Sequence, residues 1–172
     1  MTSISMEKML SNRINALEES ATIAMAVKAR AFKSRGVDVI SLSLGESDFK
    51  TPKHIREAAK SAIDEGKYFS YPPVPGYPEL RKAIAEKLQK ENGIKCSESN
   101  IVVSNGAKHS IANAMLTLIN PGDEVIVFSP YWVTYIEVVK LAEGTPVVIH
   151  AGIEKDFKVT ADQLEAAITS KT

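Results

Sequence analysis

One cysteine, Cys96, is all the thiol chemistry that the 172 residues offer. With no partner for a disulfide the chain must be held by packing, which suits a reducing compartment, and Cys96 after its Gly-Ile-Lys turn reads as an ordinary loop thiol. Net charge is missing too: Lys plus Arg and Asp plus Glu each number 21, so there is no basic surplus for a polyanion and no nucleic-acid partner is expected. Long hydrophobic runs are absent. Nothing approaches the roughly 20 apolar residues of a membrane span, and Glu7 and Lys8 interrupt the N-terminus where a secretory signal would need its apolar region. The expectation is a soluble cytoplasmic protein without membrane contact. Neither GxGxxG nor GxxxxGK[ST] occurs, which argues against a nucleotide site, and there is no internal repeat or low-complexity segment. What remains is 44% hydrophobic, enough for a buried core.

The chain is organised around residues 101–114, IVVSNGAKHSIANA. A short β-branched run, Ile101 to Val103, stops at Ser104, Asn105 and Gly106, and an apolar helical stretch follows to Ile119. Such a junction points N–H groups without intrahelical partners, and the positive end of the helix dipole, at one spot. An anion fits there. Small residues let a phosphate approach the backbone, and Lys108 adds positive charge; an ordinary strand-to-helix connection explains the same residues.

Elsewhere the patterns alternate. A weak arm, residues 1–18 with Met6, Met9, Leu10, Ile14 and Leu17, precedes a helix marked by Ile23, Val27 and Ala31, which Ser20 or Thr22 could cap and Gly36 would end. Residues 37–44 alternate as a half-buried strand, breaking at a loop of Gly45, Glu46, Ser47 and Asp48. Thr51 and Pro52 predict a helix start, with Ile55, Ala58, Ala59, Ala62 and Ile63 facing the core. The stretch 67–78 has too many prolines for helix or central strand, so Tyr68, Phe69, Tyr71 and Tyr77 belong to a surface loop that covers core or meets a partner. Leu80, Ile84 and Leu88 mark a helix closed by Gly93. A buried parallel strand is expected over 124–129, a helix over 131–142, a strand over 146–150, and a last helix opened by a Thr160–Gln163 capping box. This is an α/β chain with a mainly parallel sheet, and ligands in such sheets sit beyond the carboxyl ends of the strands.

SLGESDFKTP (43–52), YPPVPGYPELR (71–81), VSNGAKHS (103–110) and NPGDEVIVFSPYWVTY (120–135) together resemble the N-terminal part of a fold-type I aminotransferase dependent on pyridoxal 5'-phosphate, in the order and spacing of the bacterial aspartate aminotransferases. The resemblance implies a partial three-layer α/β/α large domain over 47–172, preceded over 1–46 by an N-terminal arm and part of a small domain. It also implies roles. Gly106, Ala107 and Lys108 would cradle the cofactor phosphate, and Trp132 would lie on the pyridine ring. Gly45 would meet the substrate α-carboxylate through its N–H, and Tyr71 would cross a homodimer interface to the other subunit's phosphate. Ser20, Thr22 and Lys108 match positions where the second carboxylate of an acidic amino acid or 2-oxo acid would be held, although Ser20 and Thr22 could simply cap a helix.

Two residues depart from the family: Ser47 stands where proline is usual, and His109 where glutamine is common. The Schiff-base lysine, the carboxylate against the pyridine nitrogen, the NPTG asparagine, the ring-oxygen tyrosine and the α-carboxylate arginine belong to a later part of the family's sequence. No residue here matches them. The chain is therefore expected to be an N-terminal fragment, inactive alone, of an enzyme that moves an amino group between aspartate and 2-oxoglutarate. A non-catalytic phosphate-binding α/β module and a dimerisation fragment remain the alternatives.

Overall fold

The apolar run 125–128 forms the expected strand, but its burial on both faces is not met: Val127 is buried, while Phe128 is exposed, because the described residues supply one parallel neighbour and not a full sheet to cover it. In the computed structural model, which describes residues 9–45 and 47–172, β1 (Glu124–Ser129) pairs in parallel with β2 (Thr145–His150), Glu124 opposite Thr145 and Ser129 opposite His150. Met6 of the expected arm and Glu46 of the expected loop lie outside the described residues. A parallel pair requires a crossover, and the helix α6 (Thr134–Leu141) supplies it. Its Val138 and Val139, with Ala142 just beyond, are buried together with Val127 of β1 and Ile149 of β2. Helix α6 starts at Thr134 rather than at Tyr131.

The chain divides into two units, the described residues up to Leu44 with Gly106–Thr172, and Gly45–Asn105. In the first, α1 (Asn12–Asn15) and α5 (Ala107–Leu118) pack on α6, and α7 (Ala161–Ala167) packs on β2. Helix α7 opens as its sequence predicts: the Gln163 N–H donates to Thr160 Oγ1 at 3.3 Å and the Thr160 N–H to Gln163 Oε1 at 3.0 Å. Helix α2 (Ala21–Lys33) is closed by Gly36 at φ +79°, with the Gly36 N–H on the Lys33 carbonyl and the Val37 N–H on that of Phe32.

The second unit holds α3 (Lys53–Asp64), α4 (Pro78–Asn92), a 3₁₀ turn at Glu98–Asn100 and the proline-rich loop. Helix α4 carries Pro78 at its start and Gly93 in the left-handed region at its end. The loop is ordered by its own rings: Tyr68 and Tyr77 lie 4.9 Å apart, and Tyr77 OH donates to the Ser70 carbonyl at 3.4 Å. Among the described residues no helix is long and apolar enough to cross a membrane.

Four further sequence expectations need correction. Residues 37–44 form no strand, and Ile40 and Leu42 stand 87% and 91% exposed. Residues 101–103 are likewise outside any sheet, and the Val103 N–H bonds instead to the Pro75 carbonyl at 2.9 Å. Alternating or β-branched residues make a strand only where a neighbour offers a ladder, and among the described residues β1 and β2 pair only with each other. Pro52 occupies the N-cap of α3 in place of Thr51, and Ile55 and Ile63 on the expected inner face are exposed. Ser20 sits at the N-cap of α2, yet its side chain makes no capping hydrogen bond.

Candidate functional site

At the start of α5 the backbone opens as the glycine in SNGAK predicts. Gly106 is the N-cap at φ +81°, ψ 167°, a conformation that any side chain would strain, and a Cβ there would meet nothing within 4 Å. Its carbonyl accepts the N–H groups of His109 (3.2 Å) and Ser110 (3.3 Å), which starts the helix. Among the described residues the N–H groups of Gly106, Ala107 and Lys108 have no acceptor. Three unpaired donors, next to the positive end of a 12-residue helix and with open space before them, are a cradle for a phosphate-sized anion.

Trp132 is carried to the Lys108 side chain by the other element. Strand β1 ends at Ser129, the cis Ser129–Pro130 peptide turns the chain, and Trp132 lies just before α6, its carbonyl accepting the Tyr135 N–H at 3.0 Å. The residue is 47% exposed, and Lys108 Nζ stands 5.5 Å from its ring centroid, within cation–π range. Beneath the indole opens an apolar cleft of about 440 Å³ lined by Ile111, Met115, Phe128 and Tyr135. One wall of that cleft, Tyr131, is shared with a second cleft of about 380 Å³, lined by Ser20, Thr134, Glu137 and Lys140 together with Val133 and Ile136.

The structure thus brings Lys108, which follows Gly106 and Ala107 at the start of α5, to the Trp132 ring, with Ser20 in the cleft that shares Tyr131 and half-buried Thr22 one residue into α2. The Ser20 hydroxyl is not used as a cap, so the helix does not account for it. Gly45 and Tyr71 belong to the other unit. Tyr71 is fully exposed at 103%, so it does not close over the core of its own unit. Ser47 accepts the Phe49 N–H at 3.3 Å, a local turn that takes the place of a proline's stiffness. His109 is exposed on α5.

Sequence reasoning passed over Glu137 and Lys140. Lys140 Nζ donates to Glu137 Oε1 at 3.0 Å, and Glu137 Oε2 accepts the Glu18 N–H at 2.8 Å. Burial pushes the Glu137 carboxyl up, but the Glu18 N–H and the Lys140 ammonium outweigh it and hold the group below the ordinary carboxylate range. Donation to Glu137 raises Lys140 above the usual lysine range.

Residues 37–172 match the family model described as aminotransferase class I and II. The chain is 49% identical over 163 residues to the aspartate/prephenate aminotransferase of Cereibacter sphaeroides, covering 95% of this chain and 40% of that protein. It is 45% identical over 167 residues to the aspartate aminotransferase of a Bacillus species, strain YM-2, covering 97% and 42%. Among solved structures, Thermus thermophilus aspartate aminotransferase with maleate superposes with a TM-score of 0.90 at 42% identity, over 95% of this chain and 42% of that one. The chain spans about 40% of the length of these curated relatives. With a family model covering most of its length and a shared fold of partial α/β type, the chain belongs to the aminotransferase class I and II family.

Proposed function

We propose that the chain is the N-terminal part of an aspartate-type aminotransferase, which exchanges an amino group between L-aspartate and 2-oxoglutarate. The observation that carries this reading is that Lys108, the last of three consecutive residues with unpaired N–H groups at the start of α5, sets its ammonium 5.5 Å from the ring centroid of half-exposed Trp132. A phosphorylated planar ring needs both features, and the cofactor of this family, pyridoxal 5'-phosphate, is such a ring. When bound, it supplies the electron sink that labilises the substrate Cα–H bond.

This chain's residues contribute binding and orientation. The N–H groups of Gly106, Ala107 and Lys108 would take the phosphate, whose charge the α5 dipole favours. Trp132 would fix the plane of the ring by dispersion contact over its large face. A ring laid on the face that Lys108 now covers would displace the ammonium, freeing it for a second anion. Lys108 with Ser20 and Thr22 would then hold the distal carboxylate of an acidic substrate, the lysine as countercharge and the hydroxyls as donors. That maleate, a dicarboxylate, is present in the Thermus structure supports an acidic substrate. Gly45 would offer its N–H to the α-carboxylate. Tyr71, exposed in a loop held by its own rings, would reach the phosphate of a partner subunit in a homodimer. On this reading residues 1–46 are the arm and part of the small domain, residues 47–172 begin the cofactor-binding domain, and the enzyme works in the cytoplasm.

The test is a substrate panel on the full-length enzyme with Lys108→Ala. Loss of the countercharge should lower kcat/KM for aspartate and glutamate about 10- to 100-fold, the order expected when a charged hydrogen bond is removed, while neutral amino acids change little. Equal losses across the panel would assign Lys108 to the cofactor and leave the acidic-substrate reading without its cation.

A further inference from the structure

The cleft that holds Ser20 is built by a contact between parts of the chain more than a hundred residues apart. The Glu137 carboxylate is divided: Oε2 accepts the Glu18 N–H at 2.8 Å, and Oε1 accepts from Lys140 at 3.0 Å. Lys140 also pairs with the Glu18 carboxylate at 3.5 Å. Glu137 and Lys140 have side chains only 24% and 26% exposed, whereas that of Glu18 is 82% exposed. The firm part of the network is therefore the pair on α6 and its grip on the Glu18 backbone, while the outer Glu18 carboxylate is screened by water.

A backbone N–H bonded to an ionised carboxylate is among the stronger hydrogen bonds. This one falls two residues before Ser20 and four before Thr22. Short helix α1 buries no side chain, so the segment between α1 and α2 has little apolar packing of its own to fix it. We infer that Glu137 is a positioning residue of the substrate site: oriented by Lys140, it grips the Glu18 backbone and thereby sets where Ser20 stands in the cleft lined by Tyr131, and where Thr22 follows it at the start of α2. This rests on the reading of Ser20 and Thr22 as substrate-binding groups. The lowered Glu137 and raised Lys140 titrations are consistent with the pair being ionised together.

The experiment uses the full-length aminotransferase with Glu137→Ala, Glu137→Gln, and Ser20→Ala with Thr22→Ala. Amide hydrogen exchange over residues 18–22 is followed beside steady-state kinetics with aspartate. In Glu137→Ala the Glu18 amide should exchange about tenfold faster or more, as loss of a hydrogen bond to a charged acceptor implies. KM for aspartate should rise about tenfold with kcat within twofold. Glu137→Gln keeps an oxygen for the Glu18 N–H and should recover part of both, which also covers the case in which the alanine variant folds poorly. Unchanged exchange at Glu18 in both variants would overturn the inference. So would an unchanged KM in Glu137→Ala alongside a raised KM in the Ser20 and Thr22 variant, a result that leaves the substrate reading standing. If exchange speeds up but neither Glu137→Ala nor the hydroxyl variant moves KM, the substrate reading fails and the positioning role fails with it.

Discussion

Replacing Trp132 with alanine in the full-length enzyme is expected to weaken pyridoxal phosphate retention about 10- to 100-fold, the range that loss of one aromatic stacking partner gives for planar rings, roughly 1–3 kcal/mol. Turnover should fall with it, because a ring no longer held flat presents the substrate carbon at the wrong angle for proton transfer. The fold should tolerate the change. Trp132 is 47% exposed, whereas the buried side chains of its unit include those of Val127, Val138, Val139 and Ile149, so thermal unfolding of the cofactor-free protein should move little. Trp132→Phe keeps a smaller face and should fall between the two. The check is a spectrophotometric titration of cofactor into apoenzyme together with kcat for aspartate. Wild-type retention in Trp132→Ala would remove the indole from the site.

Gly76→Val is expected to cost about 3 kcal/mol of stability in the unit Gly45–Asn105. A Cβ at Gly76 would stand 2.7 Å from Val103 Cγ2 and 2.9 Å from Val103 Cβ, and the backbone there has φ +102°. Overpacking of this kind costs about 1–3 kcal/mol, and holding a side chain at positive φ costs on the order of 1–3 kcal/mol more. The neighbouring Val103 N–H to Pro75 carbonyl bond, 2.9 Å, leaves the backbone little room to give. Against a typical total of about 5–15 kcal/mol the loss is large. Urea unfolding of Gly76→Ala, alone and with Val103→Ala, apportions the cost: trimming Val103 should relieve the contact with Cγ2 but leave the Cβ contact and the backbone strain. A Gly76→Val protein as stable as wild type would show that the loop does not seat on Val103.

What was legible in the sequence is what local chemistry decides. Pro78 and Gly93 bracket α4, the Thr160–Gln163 box opens α7, and the run through Val125 to Phe128 is a parallel strand. The glycine before Ala107 marks the turn that leaves three N–H groups unpaired. What was not legible depends on remote partners. Residues 37–44 and 101–103 carry strand patterns without strands, since a pattern says which faces could be buried and a ladder needs a neighbour. Glu137 and Lys140 read as an ordinary i, i+3 pair on α6, and nothing local says that the free carboxylate oxygen accepts an N–H 119 residues earlier in the chain. Ser20 was legible as a cap and stands in the cap position, but its hydroxyl makes no capping hydrogen bond.

The central claim, that the backbone at the start of α5 holds the cofactor phosphate, is tested most directly by following the amide resonances of Gly106, Ala107 and Lys108 in the full-length apoenzyme during titration with pyridoxal phosphate and, separately, with pyridoxal. The three N–H groups have no acceptor among the described residues, so a phosphate should shift all three strongly downfield as charge-assisted hydrogen bonds form. Pyridoxal, without the phosphate, should leave them nearly where they were. Shifts confined to other residues, or equal shifts with both compounds, would contradict the account.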